Sequence, residues 1–242
     1  MLRRIAIGLV LALLVALPAP AWADFEQDKQ RCRNPNPDIR ISRCTRLIQS
    51  GQFSGTNLSI LLYDRGNAYG RKRQYDRAIQ DYTEAIRLKP DYARAFYNRG
   101  FTFKNKGQYD QAIRDLTEAI RLKPDHADAF YNRGNAYAGK AQYERAIRDY
   151  DQAIRLKPDD ADAFHNRGYA YADKGQYDRA IRDYDQAIRL KPDDADAYGN
   201  RGYANEQLGQ RDKAIADFRK AIELRPGDRV GTGGLKRLGV TP

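Results

Sequence analysis

The apolar positions of this chain form paired stripes that return every 34 residues. Counting each unit so that a recurring glycine is its eighth position, the fourth reads Leu62, Phe96, Phe130, Phe164 and Tyr198. The glycines themselves are Gly66, Gly100, Gly134, Gly168 and Gly202, and the eleventh position is Tyr69, Phe103, Tyr137, Tyr171 and Asn205. Alanine holds the twentieth position from Ala78 to Ala214 and the twenty-seventh from Ala85 to Ala221. Between them stand Tyr82, Leu116, Tyr150, Tyr184 and Phe218, and a proline closes every unit from Pro90 to Pro226. In the third unit Phe130, Gly134 and Tyr137 lie four and three residues apart, which is one face of a helix from about Ala127 to Lys140. A break at Ala141-Gln142 leads to Tyr143, Ala146, Ile147, Tyr150, Ala153 and Ile154. This second helix stops before Lys157-Pro158, because proline disfavours helical geometry in its predecessor. The pattern predicts an all-α chain with five helix pairs over 59–92, 93–126, 127–160, 161–194 and 195–228. One pair cannot bury its own apolar face, so stacked neighbours supply the core.

Aromatic, Gly, Tyr, Ala, Tyr/Phe, Ala and Pro at these offsets resemble the tetratricopeptide repeat family over about 59–228. The resemblance implies a right-handed α-solenoid of antiparallel helix pairs whose first helices line a concave groove. It departs from the family at Asn205, where an aromatic is expected, which should weaken the last unit. It departs again at the seventh position, where Arg65, Arg99, Arg133, Arg167 and Arg201 replace a common leucine. The resemblance also implies that the second, fifth, sixth, ninth, twelfth and thirteenth positions face the groove. The fifth and sixth are Tyr63-Asp64, Tyr97-Asn98, Tyr131-Asn132, His165-Asn166 and Gly199-Asn200, and the ninth are Asn67, Phe101, Asn135, Tyr169 and Tyr203. Tyr97, Asn98, Tyr131, Asn132, His165, Asn166 and Asn200 are therefore the candidate peptide contacts. Asparagine exchanges hydrogen bonds with peptide groups, and tyrosine offers flat area at low entropy cost. Asparagine is also the family's commonest residue at the sixth position. No lysine occupies the fifth position, so the lysine clamp that some members use for C-terminal carboxylates is absent. The second positions, Ile60, Arg94, Asp128, Asp162 and Asp196, run from basic to acidic along the groove.

Ahead of the repeats, Arg3-Arg4, the uncharged run Ile5 to Leu17 and Ala21-Trp22-Ala23 read as a secretory signal peptide over 1–23, cleaved before Asp24. The run is too short to span a bilayer comfortably, and no later run is apolar. An uncleaved anchor is the alternative. The expected product is soluble outside the cytoplasm, in the periplasm of a bacterial cell. The chain's only two cysteines, Cys32 and Cys44, lie in 24–58, which reads as a degenerate helix pair with a turn at Asn34-Pro35-Asn36-Pro37. Ile41, Cys44 and Ile48 align with Ile79, Tyr82 and Ile86 of a second helix. An even pair in an exported chain reads as a disulfide, with two buried free thiols as the alternative.

The formal charge of +11 is uneven, with 14 Lys/Arg against 9 Asp/Glu in units one and two, and 18 against 19 in units three to five. Asp178 with Arg182, Arg179 with Asp183 and Asp185 with Arg189 stand four apart, as paired charges of a solvated convex face. No nucleic-acid module signature appears, so a nucleic-acid partner is not expected. The two histidines, His126 and His165, belong to no catalytic frame and lie far from the cysteines. No catalytic residue, cofactor or metal site is expected. After Pro226, the tail 229–242 carries Leu235 and Leu238 but also Gly231, Gly233, Gly234 and Gly239, which predicts a frayed end. The sequence thus points to an exported, non-catalytic adaptor or assembly scaffold for proteins or extended peptides. The alternatives are a structural subunit of an envelope complex that uses its convex face or ends, and a regulatory partner of an enzyme.

Overall fold

The computed structural model describes residues 21–241, all helix and connecting turn, so the expected leader up to Pro20 lies outside the described residues. An N-terminal pair, α1 (Ala21–Cys32) and α2 (Pro37–Gln49), precedes the repeats, and the expected cleavage point after Ala23 falls within its first turn. The repeats are α3 (Gly55–Arg71) with α4 (Tyr75–Leu88), α5 (Ala93–Asn105) with α6 (Tyr109–Leu122), and α7 (Ala127–Ala138) with α8 (Tyr143–Leu156). They continue as α9 (Ala161–Asp173) with α10 (Tyr177–Leu190) and α11 (Ala195–Gln207) with α12 (Arg211–Leu224), and α13 (Arg229–Arg237) ends the chain. Each first helix packs on its own partner and against the next first helix, whereas the second helices do not approach one another. The first-helix side is therefore the inner, concave one.

Close approach within a pair depends on the eighth-position glycine. A Cβ at Gly134 would lie 2.7 Å from Tyr150 Cε1, and one at Gly202 would lie 2.8 Å from Phe218. The rings thus lie directly on the backbone of the first helix, and Tyr150, Tyr184 and Phe218 are fully buried there. Overpacking at such a contact costs about 1–3 kcal/mol.

The seventh-position arginines are the second framework element. Arg133 grips Asp149 through two parallel bonds, Nε to Oδ2 and Nη2 to Oδ1, both 2.7 Å. Its third nitrogen, Nη1, donates to Thr117 of the preceding unit at 3.0 Å. Arg65, Arg99, Arg167 and Arg201 repeat this with Asp81, Asp115, Asp183 and Asp217, each reaching back to Thr45, Thr83, Asp151 or Asp185. Asp183 and Asp185 thus serve Arg167 and Arg201, in place of the partners four residues away on their own helix. That outcome follows from burial: Asp183 is 6% exposed and needs a donor inside the stack. Removing one member of such a pair strands a buried charge, at about 3–5 kcal/mol.

Both ends are closed. Cys32 and Cys44 form a disulfide with Cα atoms 5.0 Å apart, and they pack with Phe25 and Leu61. Arg33 donates to the buried Asp64 at 2.7 Å, and Lys72 pairs with Asp38, so this pair continues the inter-repeat register. At the other end the expected fraying is replaced by α13, whose N-cap Asp228 accepts from Gly231 N–H at 2.6 Å. The glycines that weaken an isolated helix here permit docking. A Cβ at Gly234 would lie 2.3 Å from the Phe218 ring, and one at Gly231 would lie 2.7 Å from the Phe218 carbonyl. Asn205, the exception in the aromatic column, is 3% exposed and donates to Asp217 at 3.0 Å.

Each pair reverses direction through a left-handed residue at its fifteenth position. Gly107, Gly175 and Gly209 adopt it at φ of 73°, 70° and 69°, but unit three uses Ala141 at 54° and unit one Arg73 at 58°. A side chain there costs about 1–2 kcal/mol, against about 0.4–1 kcal/mol of unfolded-state entropy that glycine adds. Ala141→Gly should raise stability by about 0.5–1 kcal/mol, read as a higher midpoint in urea. A lower midpoint would show that the turn is not strained.

Candidate functional site

The candidate residues form one continuous line along the first helices, and the line is bonded from unit to unit. Asn98 Nδ2 donates to Tyr63 Oη at 3.1 Å and to Asn67 Oδ1 at 2.7 Å. Asn132 Nδ2 donates to Tyr97 Oη at 3.2 Å and to the Asp128 carbonyl at 2.8 Å. Asn166 Nδ2 donates to Tyr131 Oη at 2.9 Å and to Asn135 Oδ1 at 3.0 Å. Asn200 Nδ2 lies 2.9 Å from His165 Nε2, while His165 Nδ1 lies 3.4 Å from Asp194, an arrangement that fits the tautomer protonated on Nδ1. Each fifth-position ring therefore accepts from the sixth-position amide of the next unit. Burial raises the Tyr97 hydroxyl to about 12, so it remains a neutral acceptor at ordinary pH.

This arrangement changes what the asparagines can offer. A carboxamide has two N–H donors, and those of Asn98, Asn132 and Asn166 are both engaged within the chain. Asn132 is 5% exposed, and its Oδ1 accepts from Lys104 Nζ at 2.9 Å, so it belongs to the interior more than to the groove. The Oδ1 atoms of Asn98, Asn166 and Asn200 take no protein donor among the described residues, which leaves a row of acceptors for backbone N–H groups. The open apolar area on this side comes from ninth positions: Phe101 is 39% exposed, Tyr169 48% and Tyr203 39%. A cavity of about 290 Å³ opens between α3 and α5, lined by Asn67, Arg71, Asn98 and Phe101 among others. Phe101, Tyr169 and Tyr203 stand at ninth positions that the sequence turns toward the groove but that are not among the candidate contacts. Lys104 is absent from the sequence-based expectations altogether, and its twelfth-position register was the available signal.

An open groove of bonded first helices, with no metal-ligating cluster among the described residues, is a helical-repeat scaffold of the kind that holds other proteins. Residues 66–107, 102–140, 140–175 and 168–209 match the family described as TPR repeat, and 195–228 match Tetratricopeptide repeat. The chain belongs to the tetratricopeptide repeat family. Among solved structures it is similar to one titled "Crystal structure of MamA", at 31% identity and a TM-score of 0.63, covering 66% of this chain and 93% of that one. A second MamA structure is 28% identical with a TM-score of 0.65, over 76% of this chain and 97% of its own. YrrB, described as "a TPR protein with an unusual peptide-binding site", shares the fold at 24% identity and a TM-score of 0.68, over 80% and 97%. Comparison with curated proteins returned no match.

Asn132→Ala should lower stability by about 1–3 kcal/mol, since it leaves buried partners unpaired. Asn200→Ala, which loses one half-buried contact, should cost clearly less. Urea denaturation of the two variants side by side checks the order, and equal losses would contradict it.

Proposed function

We propose that the protein is an exported, non-catalytic adaptor that holds an extended segment of a partner protein along its concave face. The observation that carries this reading is the row of unengaged asparagine Oδ1 acceptors beside exposed ninth-position rings. An extended peptide presents N–H groups at regular intervals, and a row of fixed acceptors matches it without reorganisation. Tyr97, Tyr131 and His165 hold the asparagines in place, so their part in binding is indirect. The export reading rests on the basic start and apolar run of the leader, and the Cys32–Cys44 disulfide fits an oxidising compartment. No helix among the described residues is long and apolar enough to cross a membrane.

The convex side supplies one observation for the alternative, a docked subunit. A cleft of about 600 Å³ lies between α10 and α12, lined by Asp178, Arg182, Lys213 and Asn205 among others. A library of displayed peptides separates the two. Tyr169→Ser with Tyr203→Ser, both at exposed positions, should leave the melting curve unchanged and weaken selected peptides about tenfold or more. Arg148→Ala with Arg182→Ala, on the convex side, should leave affinity unchanged. The reverse pattern would transfer the function to the convex face.

Processing is checked separately. Protein recovered from its native compartment should begin at Asp24, with Cys32 and Cys44 linked in nonreducing peptide maps. Met1 retained in membrane fractions, or both thiols freely alkylated, would remove the export reading.

A further inference from the structure

Lysines along the repeat edges are matched with carboxylates: Lys72 with Asp38, Lys106 with Asp76, Lys140 with Asp110, and Lys174 with Glu144 at 2.8 Å. Lys104 stands in the groove instead and has no carboxylate of this kind. Its ammonium lies 4.5 Å from the centre of the exposed Phe101 ring and donates to Asn132, and no carboxylate stands within 4 Å among the described residues. Held by a ring face and an amide, it is a fixed positive charge with no counter-ion among the described residues. Burial also lowers its basicity below that of an ordinary lysine, as expected of a partly dehydrated ammonium without a carboxylate.

Two units further along, the charge is reversed. Asp173, exposed on the last turn of α9 and one turn beyond the exposed Tyr169, lies near enough to Tyr143 and Tyr169 for its negative charge to raise both hydroxyls. No cation pairs with it among the described residues. A carboxylate beside two tyrosine side chains is a seat for a lysine or arginine side chain, which it meets by charge while the rings meet the alkyl stem and cationic head. The acidic groove residues beyond it are already answered: Asp196 by Arg225 at 2.6 Å and Glu206 by Arg237 at 2.6 Å. Arg94 near Lys104, and Asp128 and Asp162 on the way to Asp173, are also exposed without an ion pair among the described residues, so the unanswered charge of the groove runs from positive at α5 to negative at α9.

We propose that the groove selects a dipolar segment of its partner, seating an acidic side chain on Lys104 and a basic side chain on Asp173 beside Tyr169 and Tyr143. First helices in contact are spaced roughly 10 Å apart. Two steps from α5 to α9 therefore correspond to about six residues of extended chain at ~3.4 Å each. The inference rests on the groove-binding reading and narrows its ligand by charge complementarity.

The test is selection from a display library of random twelve-residue peptides with blocked termini, using the intact protein and three variants. The wild type should enrich peptides with one Asp or Glu and one Lys or Arg about six positions apart. Lys104→Met should lose the acidic preference and keep the basic one, Asp173→Asn should do the converse, and Lys104→Arg should restore the wild-type pattern. For a selected peptide measured by calorimetry, Lys104→Met should weaken binding about tenfold, and by much less when the peptide's acid is changed to its amide. Circular dichroism melts confirm that the variants are folded. Peptides enriched without the charge pair, or a pattern unchanged in Lys104→Met and Asp173→Asn, would overturn the dipolar seat while leaving groove binding in place. Failure of the wild type to enrich any peptide would remove the groove reading itself.

Discussion

Consecutive units are held in register by a guanidinium with three obligations. The seventh-position arginine must face its own second helix to grip an aspartate with two parallel bonds. It must also turn its third nitrogen to the preceding unit and lie near an aromatic ring of its own helix, as Arg133 does over Phe130 at 5.6 Å and Arg65 over Tyr69 at 5.9 Å. A planar fork satisfies these demands at one relative placement of neighbouring units, which an apolar contact of the same size would not specify. Leucine in that place would pack as well, and buried ion pairs often contribute no more stability than their apolar replacements. What the arginine adds is angle and spacing. The groove inherits both, because each first helix is set against the next by the same five junctions.

The parts legible in the sequence are those whose partners lie within one unit. The helix pair of unit three was expected over about Ala127–Lys140 and from Tyr143 to Ile154, and it occupies Ala127–Ala138 and Tyr143–Leu156. Glycine opposite a large apolar side chain is a local pairing, sixteen residues apart, and the period displays it five times, four with an aromatic ring and once with Leu116. The arginine column was equally visible as a departure from the family. Its purpose was hidden because its bonds run to an aspartate that also has arginines at helical spacing on its own surface. Only burial decides between those partners, and spacing alone carries no burial. The tail shows the same limit. Glycine is a poor helix former by propensity, yet Gly231 and Gly234 sit where a side chain would collide with Phe218. Tertiary contact overrides the local preference.

The groove shows how framework and open surface divide one set of side chains. Asparagine at the sixth position was expected to meet a ligand with donors and acceptors alike. Its donors hold the repeats together, so mostly acceptors are left for a partner. The alternation of ninth positions follows from the same division. Asn67 and Asn135 each accept both a tyrosine hydroxyl and the next unit's amide, and so belong to the bracing. Phe101, Tyr169 and Tyr203 have no such duty and stay open. Sequence spacing placed all of them on one face but could not tell bracing from surface, because the distinction depends on which atoms are already satisfied.

Gly199 stands where the other units carry an aromatic or histidine, and Val230 of α13 occupies the vacated space, 3.2 Å from where a Cβ would be. At the far end Arg33 covers Asp64 in the equivalent row. Among the described residues the groove row thus meets α13 at one end and the N-terminal pair at the other. Five first helices spaced roughly 10 Å apart put about 40 Å between those two contacts, or about a dozen extended residues. On the proposed reading the scaffold is a gauge of that span: a partner strand longer than it would leave through the open side of the trough.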